Sequence, residues 1–401
     1  MFLERVALQQ PLRREQSQEL AKRLFFVSEK IVDFTMIEQG NLVEAVEIAS
    51  VQPLEAAALR EKINYIVASD IIDQRQTVNK VQWRSQHQRT SIEHMFEQLV
   101  EQGVADEVAE GQVCVGEPFI SLMNYFDGRL RSIAINQLGG REYQYPTLIR
   151  TDVLDRCGYF NSFPQFLMFV TRLHSDIDTY RDFLDQYKQS GDVRTFALSQ
   201  CENLDYCLPP TMCFHTYHQL RDRQLGEEQN LVVTSRGKSF RFESRYHLTL
   251  ERLWDFTIRE IVFVGARTFV LECRQAFMRE VFRMIDEEFG LMGFCEVAND
   301  PFFCNQDTAE KIWSQKLLEL KYELRLNVAA DRTIAAGSFN FHEGFFGENF
   351  QIRRGERDWA RTACVGFGLE RLTYAFLCQY GLDQRAWPAA VREGVARQLA
   401  R

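Results

Sequence analysis

Two stretches of this chain carry residue types spaced for chemistry. The denser is Gly366-Phe367-Gly368-Leu369-Glu370-Arg371-Leu372. Two glycines let backbone approach a ligand closely, the helix begun by the following residues would offer unpaired amides, and the planar fork of Arg371 can hold a phosphate. The stretch lacks the third glycine of a dinucleotide fingerprint and the Lys-Ser/Thr of a phosphate-binding loop. The other is Phe240-Arg241-Phe242-Glu243, followed by Arg252-Leu253-Trp254-Asp255-Phe256. In a strand, Arg241 and Glu243 project to one face, as two groups sharing a ligand must. A surface cross-strand ion pair is the plain alternative. The ten cysteines are scattered without a CxxC pair, which in a reducing compartment suggests buried thiols or metal ligands. Cys213 has His215 and His218 close by, as a local metal site would, although isolated cysteines on apolar strands commonly belong to the core.

The elements that would position these residues are readable from periodicity. Between Phe119 and Ala134, apolar residues recur at three and four, the period of an amphipathic helix ended by Gly139-Gly140. Glu142 to Ile149 is rich in strand formers and contains Pro146, which belongs at a strand edge or end. Two strands joined by a long polar loop are predicted, one running from 231–233 into 239–243 and the other at 256–264, with a helix from 269 to 289. A pairing of 322–328 with 334–341 follows, and a strand at 362–365 leads through Gly366 and Gly368 into a helix from 369 to 380. Strands dominate without regular βαβ alternation, so an antiparallel α+β core fits better than a doubly wound sheet. Near the N-terminus, strands at 5–8, 31–37 and 42–49 and helices at 15–25 and 54–68 predict a smaller α+β unit. The domains expected are 1–110 and 111–401.

In this order the segments resemble the three motifs of class II aminoacyl-tRNA synthetases, over roughly residues 115–380. The helix, strand and proline of 119–149 resemble the dimer-forming first motif. Arg241, Glu243 and Arg252 through Phe256 resemble the second, and Gly366 to Leu372 the third. The resemblance implies a homodimer that activates a small amino acid with ATP and Mg2+. Arg241 would grip the α-phosphate, Glu243 face the adenine end, Arg252 reach the outer phosphates and Phe256 stack on adenine. Arg371 would contact the γ-phosphate beside Gly368, and Arg241 and Arg371 would be the catalytic pair, acting through charge and positioning. The contexts of Cys213, Glu260 and Cys364 resemble the zinc ligands of archaeal-type seryl-tRNA synthetases and amino acid:carrier-protein ligases, where three ligands leave a position open for the substrate's amino group. By the same resemblance Ser338 and Asn340 would line the amino-acid pocket. One departure is Ile334-Ala335-Ala336-Gly337, where seryl enzymes carry an acidic magnesium ligand; Glu323 is the candidate substitute.

Composition bounds the rest. A 45% hydrophobic fraction with 32 Phe and 9 Pro describes an ordered, well-cored chain. No repeat or low-complexity segment is visible. No signal sequence or membrane-length apolar run is present, so a cytoplasmic protein is expected. The formal net charge of -9 gives no global case for nucleic acid, although a local basic face would suffice. The resemblance to amino acid:carrier-protein ligases, with the Cys213, Glu260 and Cys364 set, implies the phosphopantetheine thiol of a carrier protein as the acceptor. The alternatives are tRNA, favoured by the N-terminal unit, and a catalytically silent paralogue that binds or regulates.

Overall fold

The computed structural model describes residues 1–25, 27–72, 80–243, 249–298, 320–356 and 358–399. The N-terminal elements are β1 (Phe2–Arg13), α1 (Arg14–Leu24), β2 (Ile31–Gln39), β3 (Leu42–Ser50) and α2 (Ala56–Ile66). The strands pair antiparallel in the order β1-β3-β2. Val6, Leu12, Ile31, Val46 and Ile48 pack with Leu20 and Leu24 of α1 and Leu59 and Ile63 of α2. β1 extends well beyond the expected 5–8; its register shifts between Ala7 and Leu12, around Pro11, which has no amide for a ladder.

The chain continues through β4 (Val81–Arg84), α3 (Met95–Glu101), the hairpin β5 (Ala105–Ala109) and β6 (Gln112–Val115), α4 (Phe119–Ser132), β7 (Arg141–Glu142) and β8 (Ile149–Arg150). Then come α5 (Thr151–Arg156), α6 (Tyr159–Ser162), β9 (Phe169–Leu173), α7 (Ile177–Ser190), β10 (Cys201–Cys207) and α8 (Cys213–Gln219). The C-terminal part holds β11 (Gln224–Leu225), β12 (Leu231–Phe240), β13 (Asp255–Gly265), α9 (Arg267–Arg283), β14 (Gly293–Val297), β15 (Lys321–Asn327) and β16 (Thr333–Phe341). It ends with α10 (Phe345–Asn349), β17 (Arg353–Arg354), β18 (Asp358–Trp359), β19 (Arg361–Gly368), α11 (Leu369–Tyr380) and α12 (Ala389–Leu399).

The principal sheet runs β4-β14-β15-β16-β19-β13-β12-β7. All its pairings are antiparallel except β12 with β7. β4, from the span assigned above to the N-terminal unit, forms one edge. β13 lies inside the sheet and is buried on both faces, hence its run of apolar residues. On the back face Ile261, Phe263, Phe339, Val365 and Phe367 meet α4, α9 and α11. Phe126 of α4 contacts Phe289 and Phe376 at ring separations of 4.6 and 5.4 Å. On the front, Val262, Val264 and Cys364 pack with residues of α8 and α10.

Two expected strands are shorter than their composition suggested. β12 stops at Phe240, so Arg241 and Glu243 leave the ladder and are not strand neighbours on one face. Of 142–149 only the ends pair, because Pro146 cannot donate and β7 meets β12 over two residues.

One charged network crosses these layers. Arg259, 2% exposed, points to the back face. It donates through Nε and Nη2 to Asp127 of α4 at 2.6 and 2.8 Å, and through Nη1 to Glu142 of β7 at 2.8 Å. Removing one partner of a buried ion pair strands the others and costs about 3–5 kcal/mol. Arg259→Met is therefore expected to lower unfolding stability by about that amount in urea titration; a loss below about 1 kcal/mol would place the network outside the stabilising core.

Candidate active site

Strand register gathers the residues expected to bind the amino acid. Directly paired residues in antiparallel strands share a face. Glu323 pairs with Ser338, Ser338 with Gly366, and Gly366 with Glu260. Two residues along, Lys321, Asn340, Cys364 and Val262 form a second row on the same face. Between them Gly366 keeps the floor low: a Cβ there would come within 3.2 Å of Ile258 and 3.5 Å of Glu260. Gly368 is less constrained, since its added Cβ would make ordinary contacts with Arg371 at 3.8–3.9 Å.

Cys213, at the start of α8, approaches this surface. Thr211 donates from Oγ1 to Glu260 Oε1 and lies 3.8 Å from Cys213 Sγ. Burial raises the Cys213 thiol pKa well above its usual value, and the Cys364 thiol and Glu260 carboxylate push the same way. Burial also pushes the Glu260 carboxyl up to about 7, against the opposing hydrogen bonds of Thr211 and Cys213 and the charge of Arg241. Among the described residues, no three His, Cys, Asp or Glu side chains are arranged to hold a metal ion; Cys213, Glu260 and Cys364 instead interact with one another. Two side-chain oxygens here have no protein partner, Glu260 Oε2 and Asn340 Oδ1.

Cys364 has further neighbours. Asn340 Nδ2 lies 3.5 Å from its sulfur and His342 Nε2 3.6 Å. His342 Nδ1 lies 3.2 Å from Thr362 Oγ1 and 3.4 Å from Tyr217 Oη. Burial, reinforced by Arg274, lowers the His342 pKa to about 3, so the ring is neutral. Sequence reasoning passed over His342, although 338, 340 and 342 continue one alternation along β16. The grouping of Cys213 with His215 and His218 does not form: both histidines lie roughly 140–160° around α8 from Cys213. His215 stacks on Tyr145 at 5.4 Å, and His218 lines a separate surface cavity.

The phosphate-directed residues meet beyond this surface. Pro209 and Pro210 present carbonyls, accepting from Phe240 N at 2.8 Å and Arg241 Nε at 3.1 Å. The Arg241 guanidinium lies 5.5 Å from the Phe256 ring centre. Arg252 pairs with Glu243 at 3.1 Å, so these side chains engage each other. Arg371 donates to the carbonyls of Glu251 at 2.6 Å and Ala335 at 3.2 Å. Enclosure lowers its pKa to about 10; Arg252 and Arg241 push the same way, while Glu243 and Glu323 oppose. The Arg252 and Arg241 guanidinium groups thus bear on that of Arg371. Glu323 is held by Lys321 at 2.9 Å and Arg325 at 3.5 Å. Glu370, in the first turn of α11, accepts from Thr257 N at 2.8 Å and locks that helix to β13.

An antiparallel sheet with Arg241, Arg252 and Arg371 gathered at its strand ends and a helix-backed third segment is a ligase core of the class II synthetase type. No protein-family model matches the chain. It is 31% identical over 258 residues to amino acid--[acyl-carrier-protein] ligase 1 of Bradyrhizobium diazoefficiens, covering 64% of this chain and 77% of that protein. Ligase 2 of the same organism is 33% identical over 254 residues, covering 62% and 73%. The chain belongs to this family of ligases, within the class II aminoacyl-tRNA synthetases. It is also 28% identical over 293 residues, 71% of its length, to the type-2 serine--tRNA ligase of Methanococcus aeolicus, spanning only 56% of that protein. Its fold superimposes on M. kandleri SerRS, solved with A. aeolicus tRNASec, at a TM-score of 0.71 and 20% identity, over 99% of this chain and 78% of that one. No helix among the described residues is long and apolar enough to cross a membrane.

The buried Glu260 carboxyl makes stability depend on pH in the metal-free chain. Its folded pKa lies above the ordinary 4.5. The stabilisation from keeping it neutral is therefore complete at low pH and is lost as pH rises through about 7. Roughly 3 kcal/mol should disappear between about pH 5 and 8. Urea midpoints in chelator across that range should fall for wild type and stay flatter for Glu260→Gln; parallel profiles would exclude Glu260 as the source.

Proposed function

We propose that this chain activates a small α-amino acid with ATP to an aminoacyl-adenylate and transfers the acyl group to the phosphopantetheine thiol of a carrier protein. The observation that carries the adenylation reading is the meeting of Arg241, Arg252 and Arg371 beside the face bearing Ser338, Asn340 and Glu260. Burial and the charges of Arg252 and Arg241 disfavour the charged form of Arg371, so a bound triphosphate would relieve a repulsion already built in there. Arg241 would hold the α-phosphate and offset charge as the carboxylate attacks, Arg252 and Arg371 would hold the outer phosphates, and Phe256 would cover adenine, with Glu243 at that end. Glu323, between Lys321 and Arg325, is the carboxylate on this face for Mg2+.

Asn340 Oδ1, buried without a protein partner, is an acceptor for the substrate's amino or hydroxyl group, while Asn340 Nδ2 donates to Ser338 Oγ at 3.2 Å. The donor set of Cys213, Glu260 and Cys364 suits zinc in chemistry. Asn340 Nδ2 and His342 Nε2 lie close to the Cys364 sulfur, and the partnerless Glu260 Oε2 is a free oxygen donor. Bound there, zinc would offer an open position to the substrate's amino group. The working unit in this reading is a homodimer.

A carrier-protein acceptor is favoured by the greater identity of the Bradyrhizobium ligases and the larger share of their own length that the match spans. tRNA is the second reading, favoured by a fold likeness to a tRNA-bound synthetase that covers 99% of the chain, its N-terminal elements included.

Amino-acid-dependent pyrophosphate exchange over a panel of amino acids, with zinc quantified in the same preparation, tests the reading. One small amino acid should support exchange, with about one zinc per chain. Arg371→Ala should reduce exchange at least about 100-fold while leaving the circular dichroism spectrum unchanged. Cys364→Ala should lose zinc and exchange together. No exchange with any amino acid in folded, zinc-loaded protein would reject adenylation, and full exchange in zinc-free protein would reject the metal.

A further inference from the structure

The chain is acidic overall, yet it gathers positive charge around one surface cavity that the adenylation chemistry does not use. Arg150, Asp152, Val153, Arg156, His218 and Arg221 line a space of about 240 Å³. They come from β8, α5, the last turn of α8 and the residues just after it, so the cluster is made by tertiary packing rather than by a run of charge. Arg150 spends Nε and Nη2 on Asp152, both at 3.0 Å, leaving Nη1. Arg221 donates Nη1 to the His218 carbonyl at 2.9 Å, capping the helix end and leaving its other nitrogens. Among the described residues, the Arg156 side chain makes no ion pair or hydrogen bond. His218 Nδ1 is shielded from solvent without a partner. Desolvation lowers the His218 pKa; Arg221, Arg156 and Arg150 push the same way, with Asp152 opposing. Three guanidinium groups against one carboxylate leave an excess of two positive charges, with N–H donors on separate walls of the cavity.

We propose that this cluster is a binding site for a phosphate group, separate from the ATP cleft. Arginine forks match phosphate oxygens with paired hydrogen bonds, and one tetrahedral phosphate offers oxygens to guanidinium groups on more than one wall. Within the carrier-protein reading, on which this part rests, the phosphate is the phosphodiester of the acceptor's pantetheine arm. α8 borders both places: it carries Cys213 at one end, beside the amino-acid surface, and His218 five residues on and roughly 140° around the helix, at the phosphate site.

The test titrates inorganic phosphate into the full chain by calorimetry, with the ATP cleft filled by a non-hydrolysable ATP analogue, while labelled histidine resonances are followed. Wild type should bind one phosphate with a shift of the His218 signals, and Arg156→Ala/Arg221→Ala should weaken binding at least about tenfold. Unaltered binding in the double variant, or none in wild type, would overturn the site. In the same variant, an unchanged pyrophosphate exchange with about a tenfold higher KM for a phosphopantetheinylated acceptor assigns the site to the arm. An unchanged KM with phosphate binding lost assigns it to free phosphate and rejects the arm. Absence of exchange in wild type, with phosphate binding still dependent on the arginines, would reject adenylation while leaving the phosphate site standing.

Discussion

Arg259 fixes how the two faces of the principal sheet relate. Its neighbour Glu260 necessarily points the opposite way in a strand, so anchoring one orients the other. On the back, the guanidinium requires carboxylates once it leaves water, and Asp127 and Glu142 supply them from α4 and β7. That requirement positions α4 against β13 and attaches β7 as the last strand. On the front, it leaves Glu260 facing Thr211 and Cys213. A one-residue slip of β13 would place Glu260 against the helices and a guanidinium among the thiols, an arrangement neither face could satisfy. Since desolvation offsets much of the attraction in such networks, the main consequence of this one is the choice of register rather than surplus stability.

The two halves of the candidate site are built on contrasting electrostatics. Around Cys213, Glu260 and Cys364, enclosure favours neutral groups: it raises the carboxyl and thiol and keeps His342 uncharged. Around Arg371, cations are gathered with their attraction only partly satisfied, Glu243 being taken by Arg252 and Glu323 by Lys321 and Arg325. The first suits a soft cation and an amine, the second a polyanion. Gly366 and the β16 face join the two, so an amino acid lying over them would present its carboxylate toward the arginines.

Periodicity made much of this legible. The N-terminal order of strands and helices, the α4 helix and the β15–β16 and β19–α11 connections follow from spacings of two and three to four. The two rows also follow from it, because 321/323, 338/340, 364/366 and 260/262 are each two apart in a strand. What the sequence hid was long-range or terminal. Nothing near Arg259 announces Asp127, 132 positions away. At its end β12 turns to a segment remote in sequence, the Phe240 amide bonding to the Pro209 carbonyl. His342 lay one step beyond the residues singled out on its own strand. The basic cavity draws on residues 150 to 221 and is diluted, in composition, by an acidic whole.

The register between β15 and β16 shifts where Leu324 pairs with Gly337 and Arg325 with Ala335. An extra residue there bends the strand, beside the Ala335 carbonyl that accepts from Arg371. Inheritance of the site is thereby constrained in an uneven way. Loops between strands can lengthen or shorten over generations without moving the floor, whereas a single codon gained or lost within 333–341 would turn Ser338 and Asn340 to the helix side at once. Divergence in amino-acid choice is therefore open to substitution at points on the floor and closed to insertion within it.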